Sequence, residues 1–210
     1  MRSMLSVVEA RVVGCLLEKE RTVPDQYPLT LNALVSACNQ SSSRDPVMQL
    51  DDHEVESSIV SLKAAGLVRM VHPSHGRSVT RYRQVADESW GLEPDAAAVV
   101  AVLLLRGPQT VAELKSRTDR QHAFASLDEV QRVLDELAAR EMVVRLDRAP
   151  GQQADRWRQL LADEPERTDV PARAAVRRAD PDETAALVAR VAELEARVAV
   201  LEAALADLLA

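Results

Sequence analysis

Arg81-Tyr82-Arg83-Gln84-Val85 and Arg156-Trp157-Arg158-Gln159-Leu160 read as one segment written twice, at an offset of 75. The same offset aligns Glu54-Val55 with Glu129-Val130, Leu62 with Leu137 and Val68 with Val143. Upstream the spacing widens. Thr30 and Leu34 match Thr110 and Leu114 at 80, and Leu16-Leu17 matches Leu104-Leu105 at 88. A pentapeptide match alone is weak, but its agreement in order with three helical patterns makes duplication the better account.

Each copy predicts three helices followed by a strand, a turn and a strand. In the first, Ser6-x-x-Glu9 is a capping box opening a helix with Val8, Val12, Cys15 and Leu16 on one face. Thr30 caps a second helix bearing Leu31, Leu34, Val35 and Cys38, and Asp51-x-x-Glu54 starts a third with Val55, Ile59 and Leu62 inward. Gly66 supplies the stop, and segments 67–71 and 79–85 form a hairpin around the turn from His72 to Gly76. The second copy repeats this with a helix over 94–106, caps at Thr110-x-x-Glu113 and Ser126-x-x-Glu129, a helix over 127–140, and strands near 142–146 and 155–161. Three helices closed by a hairpin are the winged-helix arrangement. The expected fold class is therefore mainly α (α+β): winged-helix domains at 1–88 and 89–161, a linker at 162–182, and a coiled-coil helix at 183–210. The shrinking offset means that the first copy carries extra loop residues, at 22–29 and 39–48. Loops beyond what a scaffold needs often carry function, although neutral growth explains them equally well.

Composition agrees with small helical units. The 210 residues are 47% hydrophobic but only 2% aromatic, so the cores must be built from Leu, Val, Ile and Ala. The net charge of −7 is uneven: the regions 1–88 and 89–161 each have ten Lys/Arg against eleven Asp/Glu, while 162–210 has six against eleven. The overall acidity thus belongs mostly to the tail. No secretory leader is read at Met1-Arg2-Ser3-Met4, and the apolar run 96–105 is too short to span a bilayer, so a cytoplasmic protein without membrane partners is expected. Cys15 and Cys38 sit among apolar helix residues and read as reduced core thiols. The sequence shows no glycine-rich phosphate loop, nucleophile elbow or Cys/His ligand cluster. His72-x-x-His75 lacks further ligands, so neither an enzyme, a metal nor a cofactor is expected.

Several stretches resemble the YceH family of bacterial proteins: 9–19 (EARVVGCLLEK), Gln26-Tyr27-Pro28-Leu29, Ala37-Cys38-Asn39-Gln40, Arg44-Asp45-Pro46-Val47-Met48, Leu103-Leu104-Leu105-Arg106-Gly107 and Val143-Val144-Arg145-Leu146. The resemblance covers essentially the whole chain. It implies tandem winged-helix domains and says little about activity.

The residues themselves point to a polyanion. From Ser57 to Ala86 there is no acid, while Lys63, Arg69, Arg77, Arg81 and Arg83 are cationic. Alternation puts Arg81 and Arg83 on one strand face with Tyr82 packed inward. Arg44, in the loop of Gln40-Ser41-Ser42-Ser43-Arg44, is a supporting candidate. Against insertion of the third helix into a major groove stand Asp51, Asp52, Glu54 and Glu56 in the first copy, and Asp128 and Glu129 in the second. Duplex DNA gripped by the first wing and the loop between helices two and three is one expectation. A protein-interaction scaffold, its acidic helices facing a basic partner, is the other.

The tail specifies a partner of its own. Leu187, Val191, Leu194, Val198, Leu201, Leu205 and Leu208 recur at heptad spacing. With Val191, Val198 and Leu205 at a, the leucines fall at d, Arg190 and Arg197 at g, and Glu195 and Glu202 at e. A parallel homodimer then pairs Arg with Glu, whereas an antiparallel one opposes like charges. The competing reading is an amphipathic helix folded back on its own chain.

Overall fold

A computed structural model of the chain describes residues 4–72, 79–148 and 154–163. Helix α1 (Val7–Thr22) opens on a closed capping box: Ser6 Oγ accepts from Glu9 N at 3.2 Å, and Glu9 Oε2 accepts from Ser6 N at 2.7 Å. A 3₁₀ turn at Pro24–Gln26 and the two-residue strand β1 (Leu29–Thr30) lead into α2 (Leu31–Cys38), capped by Thr30. Asp51 and Glu54 close a second capping box at the start of α3 (Asp52–Ala64). That helix stops because Gly66 turns left-handed (φ 72°) and Leu67 N returns to Leu62 O at 2.9 Å. Strands β2 (Val68–Val71) and β3 (Arg81–Gln84) follow, and β3 is central in an antiparallel sheet ordered β1-β3-β2.

The connector is a short helix, α4 (Ala86–Trp90), that the sequence pattern had not suggested, and the expected boundary between 88 and 89 falls inside it. Its last turn is held by Arg140, whose guanidinium donates to the carbonyls of Trp90 and Gly91. The second copy then runs α5 (Pro94–Arg106), α6 (Val111–Thr118), α7 (Leu127–Ala139), β4 (Val143–Leu146) and β5 (Arg156–Gln159). The Thr110–Glu113 box closes as expected. Ser126 caps α7, but Glu129 reaches past it to Ala125 N at 2.8 Å. Where the first copy pairs Leu29 with Tyr82, the second pairs Gln109 with Trp157 through hydrogen bonds of 2.7 and 3.0 Å. The left-handed stop recurs too, with Glu141 (φ 54°) in place of glycine and Met142 N bonded to Leu137 O. The described residues are thus mixed α and β, with more helix than strand and two small antiparallel sheets.

The described residues belong to one compact unit, Met1–Pro165. Helices α1 and α5, the first of each copy, pack on one another more extensively than any other pair of described elements. Gly14 makes their approach possible: a Cβ there would lie 2.9 Å from Leu105 Cγ and 3.2 Å from Leu104 Cβ. One continuous core results, running from Val12, Leu16 and Leu17 through Val99 and Leu103 to Leu134 and Trp157. Each fully buried leucine there contributes about 1.5–3 kcal/mol relative to exposure. A parallel bridge between Leu5 and Ala162 joins the two ends of the unit, with hydrogen bonds of 2.9 Å from Leu5 N to Leu161 O and from Asp163 N to Leu5 O. Among the described residues no helix is long and apolar enough to cross a membrane. Arg77, most of the linker and the whole heptad seam from Leu187 to Leu208 lie outside them.

Candidate nucleic-acid interface

Strand alternation decides what the first hairpin shows to solvent. Tyr82 and Gln84 point inward, 8% and 1% exposed, and Arg81 and Arg83 point out, as the sequence pattern requires. The register sets Arg69 of β2 directly opposite Arg83 of β3. Like charges so placed repel across a sheet. Glu88, from α4, relieves them: its carboxylate lies 2.9 Å from Arg83 and 3.8 Å from Arg69. Both arginine side chains remain exposed, as does Lys63 at the last turn of α3, its Nζ 3.7 Å from Met70 Sδ. The outer face of the sheet therefore gathers Arg69, Arg81 and Arg83 beside the Glu88 carboxylate, whereas Lys63 reaches Met70, which pairs with the inward-facing Tyr82 on the other side of the sheet.

Two of the expected contacts have other work. Arg44 is a correction: it is 6% exposed, and its guanidinium donates to both carboxylate oxygens of Glu18 (2.7 and 3.1 Å), to Gln40 Oε1 and to the carbonyls of Ala37 and Ser43. A buried, fully engaged guanidinium has nothing to offer a phosphate. Burial alone would raise the Glu18 pKa, but the Arg44 hydrogen bonds and charge hold it below the usual carboxylate range. Arg81 is exposed yet tethered, donating to Pro28 O at 2.8 Å. Its counterpart Arg156 donates to Pro108 O at 2.8 Å, so the duplicated arginine staples the third strand to the residues before the second helix. That signal was present in the sequence as a Pro and an Arg repeated together.

The extra loops of the first copy are built into the scaffold. Tyr27 Oη accepts from Gln84 N at 2.6 Å. Asn39 bonds Leu50 in both directions at 2.7 and 2.8 Å. The loop after α2 also reaches the second copy, with Asp45 N donating to Leu105 O at 2.8 Å and Arg106 Nη2 to Ser43 Oγ at 2.5 Å. On the second hairpin Asp155 pairs with both Arg145 and Arg148. The solvent-facing side of α7 presents Asp128, Gln131, Arg132, Asp135, Glu136 and Ala139.

A small α+β protein with a cationic sheet face and an acidic helix face is the class these features define. The chain belongs to the DUF480/UPF0502 family, which also carries the name YceH: the family model described as "Protein of unknown function, DUF480" matches residues 5–152. It is 45% identical over 202 residues to a UPF0502 protein of Geobacter sulfurreducens, covering 92% of this chain and 91% of the relative. A UPF0502 protein of Shewanella woodyi is 45% identical over 217 residues, covering 98% and 99%. A third, from Dechloromonas aromatica, is 45% identical over 164 residues, covering 77% and 76%.

Proposed function

We propose that the two copies are winged-helix units and that the protein is a non-enzymatic, DNA-associated regulatory binder, gripping duplex phosphates with the first wing. Support for the units comes from the element order, repeated with the same short pairing ahead of the second helix: Leu29 on Tyr82, and Gln109 on Trp157. The observation that carries the function is the opposed pair Arg69–Arg83, with Arg81 on the same solvent face. Phosphate would relieve a repulsion that Glu88 only partly offsets. The acidic start of α3 argues against insertion of that helix, although the Asp51 and Glu54 carboxylates are occupied by capping. Binding should therefore be salt-sensitive and weakly sequence-selective.

A duplex titration at two salt concentrations tests this, comparing wild type with Arg69→Glu/Arg83→Glu. Loss of two phosphate contacts should lower the slope of log K against log salt by about 2. Equal, negligible binding by both proteins sinks the reading. The acidic outer side of α7, with Asp128, Asp135 and Glu136, supports a second one, a protein-interaction scaffold that presents this helix to a basic partner and binds no nucleic acid. In either case the heptad seam of residues 187–208 is proposed to pair two chains in parallel.

A further inference from the structure

Arg106 closes α5, and the offset of 88 that aligns Leu16-Leu17 with Leu104-Leu105 sets it where α1 carries Glu18. Both side chains meet the loop 40–44 that follows α2. Arg44 donates to both carboxylate oxygens of Glu18 and to Ser43 O, while Arg106 Nη2 donates to Ser43 Oγ at 2.5 Å. Lys19 Nζ reaches Gln40 Oε1 at 3.3 Å, the oxygen that also accepts from Arg44 at 2.9 Å. Lys19, Arg44 and Arg106 thus converge on one short loop. Among the described residues Glu18 is the one carboxylate within ion-pair distance of any of them, and it is taken by Arg44 and Lys19. Asp45, exposed on the same loop, pairs with none of the three. Arg106 therefore keeps a half-buried positive charge with no counter-ion among the described residues. Partial burial and the like charges of Arg117 and Arg44 lower its pKa from the ordinary guanidinium value, against the pull of Glu18.

The loop supplies donors at the same place. Ser41 and Ser42 are exposed, and their hydroxyls bond to nothing among the described residues. Ser43 Oγ accepts from Arg106, which leaves its own proton free to donate. The Ser43 backbone is left-handed (φ 62°), and the amide N–H groups of Ser41, Ser42 and Ser43 donate to no acceptor among the described residues. Successive free amides in a turn with a left-handed residue make a concavity for an anion. A guanidinium fork, three hydroxyls and three amides suit the several oxygens of a phosphate better than the two of a carboxylate. We propose that Arg106 and the serines at 41–43 form a cradle for a phosphate group, carried either by a small phosphorylated compound or by a nucleic-acid backbone. Arg44 stays on Glu18 and takes no part in holding it. Because Ser43 belongs to the first copy and Arg106 to the second, the bound group is gripped by both copies at once. The cradle uses none of Arg69, Arg81 and Arg83, so it stands or falls apart from the wing.

The test titrates the full chain with inorganic phosphate, at an ionic strength held constant with chloride, and follows heat of binding and melting temperature. Wild type should bind saturably and melt higher as phosphate is added. Arg106→Gln should weaken phosphate binding at least about tenfold, as expected for a hydrogen bond to a charged group. Ser42→Asp, at an exposed position with no bonds to lose, should weaken it by as much and decides the matter where Arg106→Gln fails to fold. Arg69→Glu/Arg83→Glu should bind phosphate as wild type does. No saturable binding to wild type would overturn the cradle. So would undiminished binding by Ser42→Asp, or an equal loss in Arg69→Glu/Arg83→Glu, which would mark a general attraction to cations. A duplex added to the phosphate-bound chain then separates the two sources. Displaced phosphate identifies a backbone phosphate as the ligand, and retained phosphate identifies a small phosphorylated compound.

Discussion

Glu141 holds a left-handed backbone in the position that Gly66 fills in the first copy. A side chain there costs about 1 kcal/mol, so Glu141→Gly should raise stability by up to about that amount despite the extra freedom glycine gains when unfolded. Gly66→Ala should lower it by about 1 kcal/mol through the backbone alone, since nothing lies within 4 Å of the added methyl. Paired urea melts check both, and equal signs for the two changes would refute the shared-stop account. Gly14 differs in kind. Alanine would gain about 1 kcal/mol of helix propensity, but its Cβ meets Leu105 Cγ and Leu104 Cβ, atoms close to the backbone that cannot swing away. Overpacking of this sort costs about 1–3 kcal/mol, so Gly14→Ala should be net destabilising. The Glu18–Arg44 pair adds a pH dependence. A carboxyl held below its unfolded value contributes stability that is present above that value and lost as pH falls through the folded one. The melting temperature should therefore drop as pH falls below about 4.5, the ordinary glutamate value. Glu18→Gln should cost about 3 kcal/mol at neutral pH and flatten that acid limb, leaving the contributions of Glu9, Glu113 and Asp155, which are also lowered.

At the scale of elements, helix starts and strand faces were legible in the sequence because they depend on residues three or two apart. Ser6, Thr30, Asp51, Thr110 and Ser126 all cap the helices they announce, and Tyr82 and Trp157 both face inward. Charge pairing was not legible, because it depends on how the chain returns. The acid-free window ends at Ala86, yet α4 brings Glu88 back onto Arg69 and Arg83. Arg44 was misplaced for the same reason: its partner Glu18 is 26 residues upstream, and no local pattern records that the loop folds inward. Glu88 now supplies a prediction that a merely neutral wing would not make. An exposed ion pair is worth about 0.5 kcal/mol, so Glu88→Gln should tighten duplex binding about twofold by releasing two arginines. The gain should vanish in the background of Arg69→Glu/Arg83→Glu. A Glu88→Gln protein that binds duplex no better than wild type, in fluorescence anisotropy at low salt, would remove the wing from the account.

For the whole molecule, the duplication matters less as two domains than as one body whose first helices are fused. Helices α1 and α5 share the core, the loop after α2 braces α5, and Leu5 clasps Ala162. The stability of this body, with and without the tail, separates the two readings of the heptads. If residues 183–210 pair two chains, the full chain sediments as a dimer at micromolar concentration. A chain cut after Asp163 is then a monomer with an unchanged melting temperature. If the same leucines fold back onto their own chain, both proteins are monomers and the cut lowers the melting temperature. The heptad spacing and the Arg-to-Glu match at g and e predict the first outcome. Pairing also bears on function, because two wings tethered together bind a long duplex with an effective concentration that a single weak wing lacks. The cut chain should therefore lose at least about tenfold in duplex affinity while keeping its salt slope per chain. A cut chain that binds as tightly as the full one would leave the tail with no role in gripping DNA.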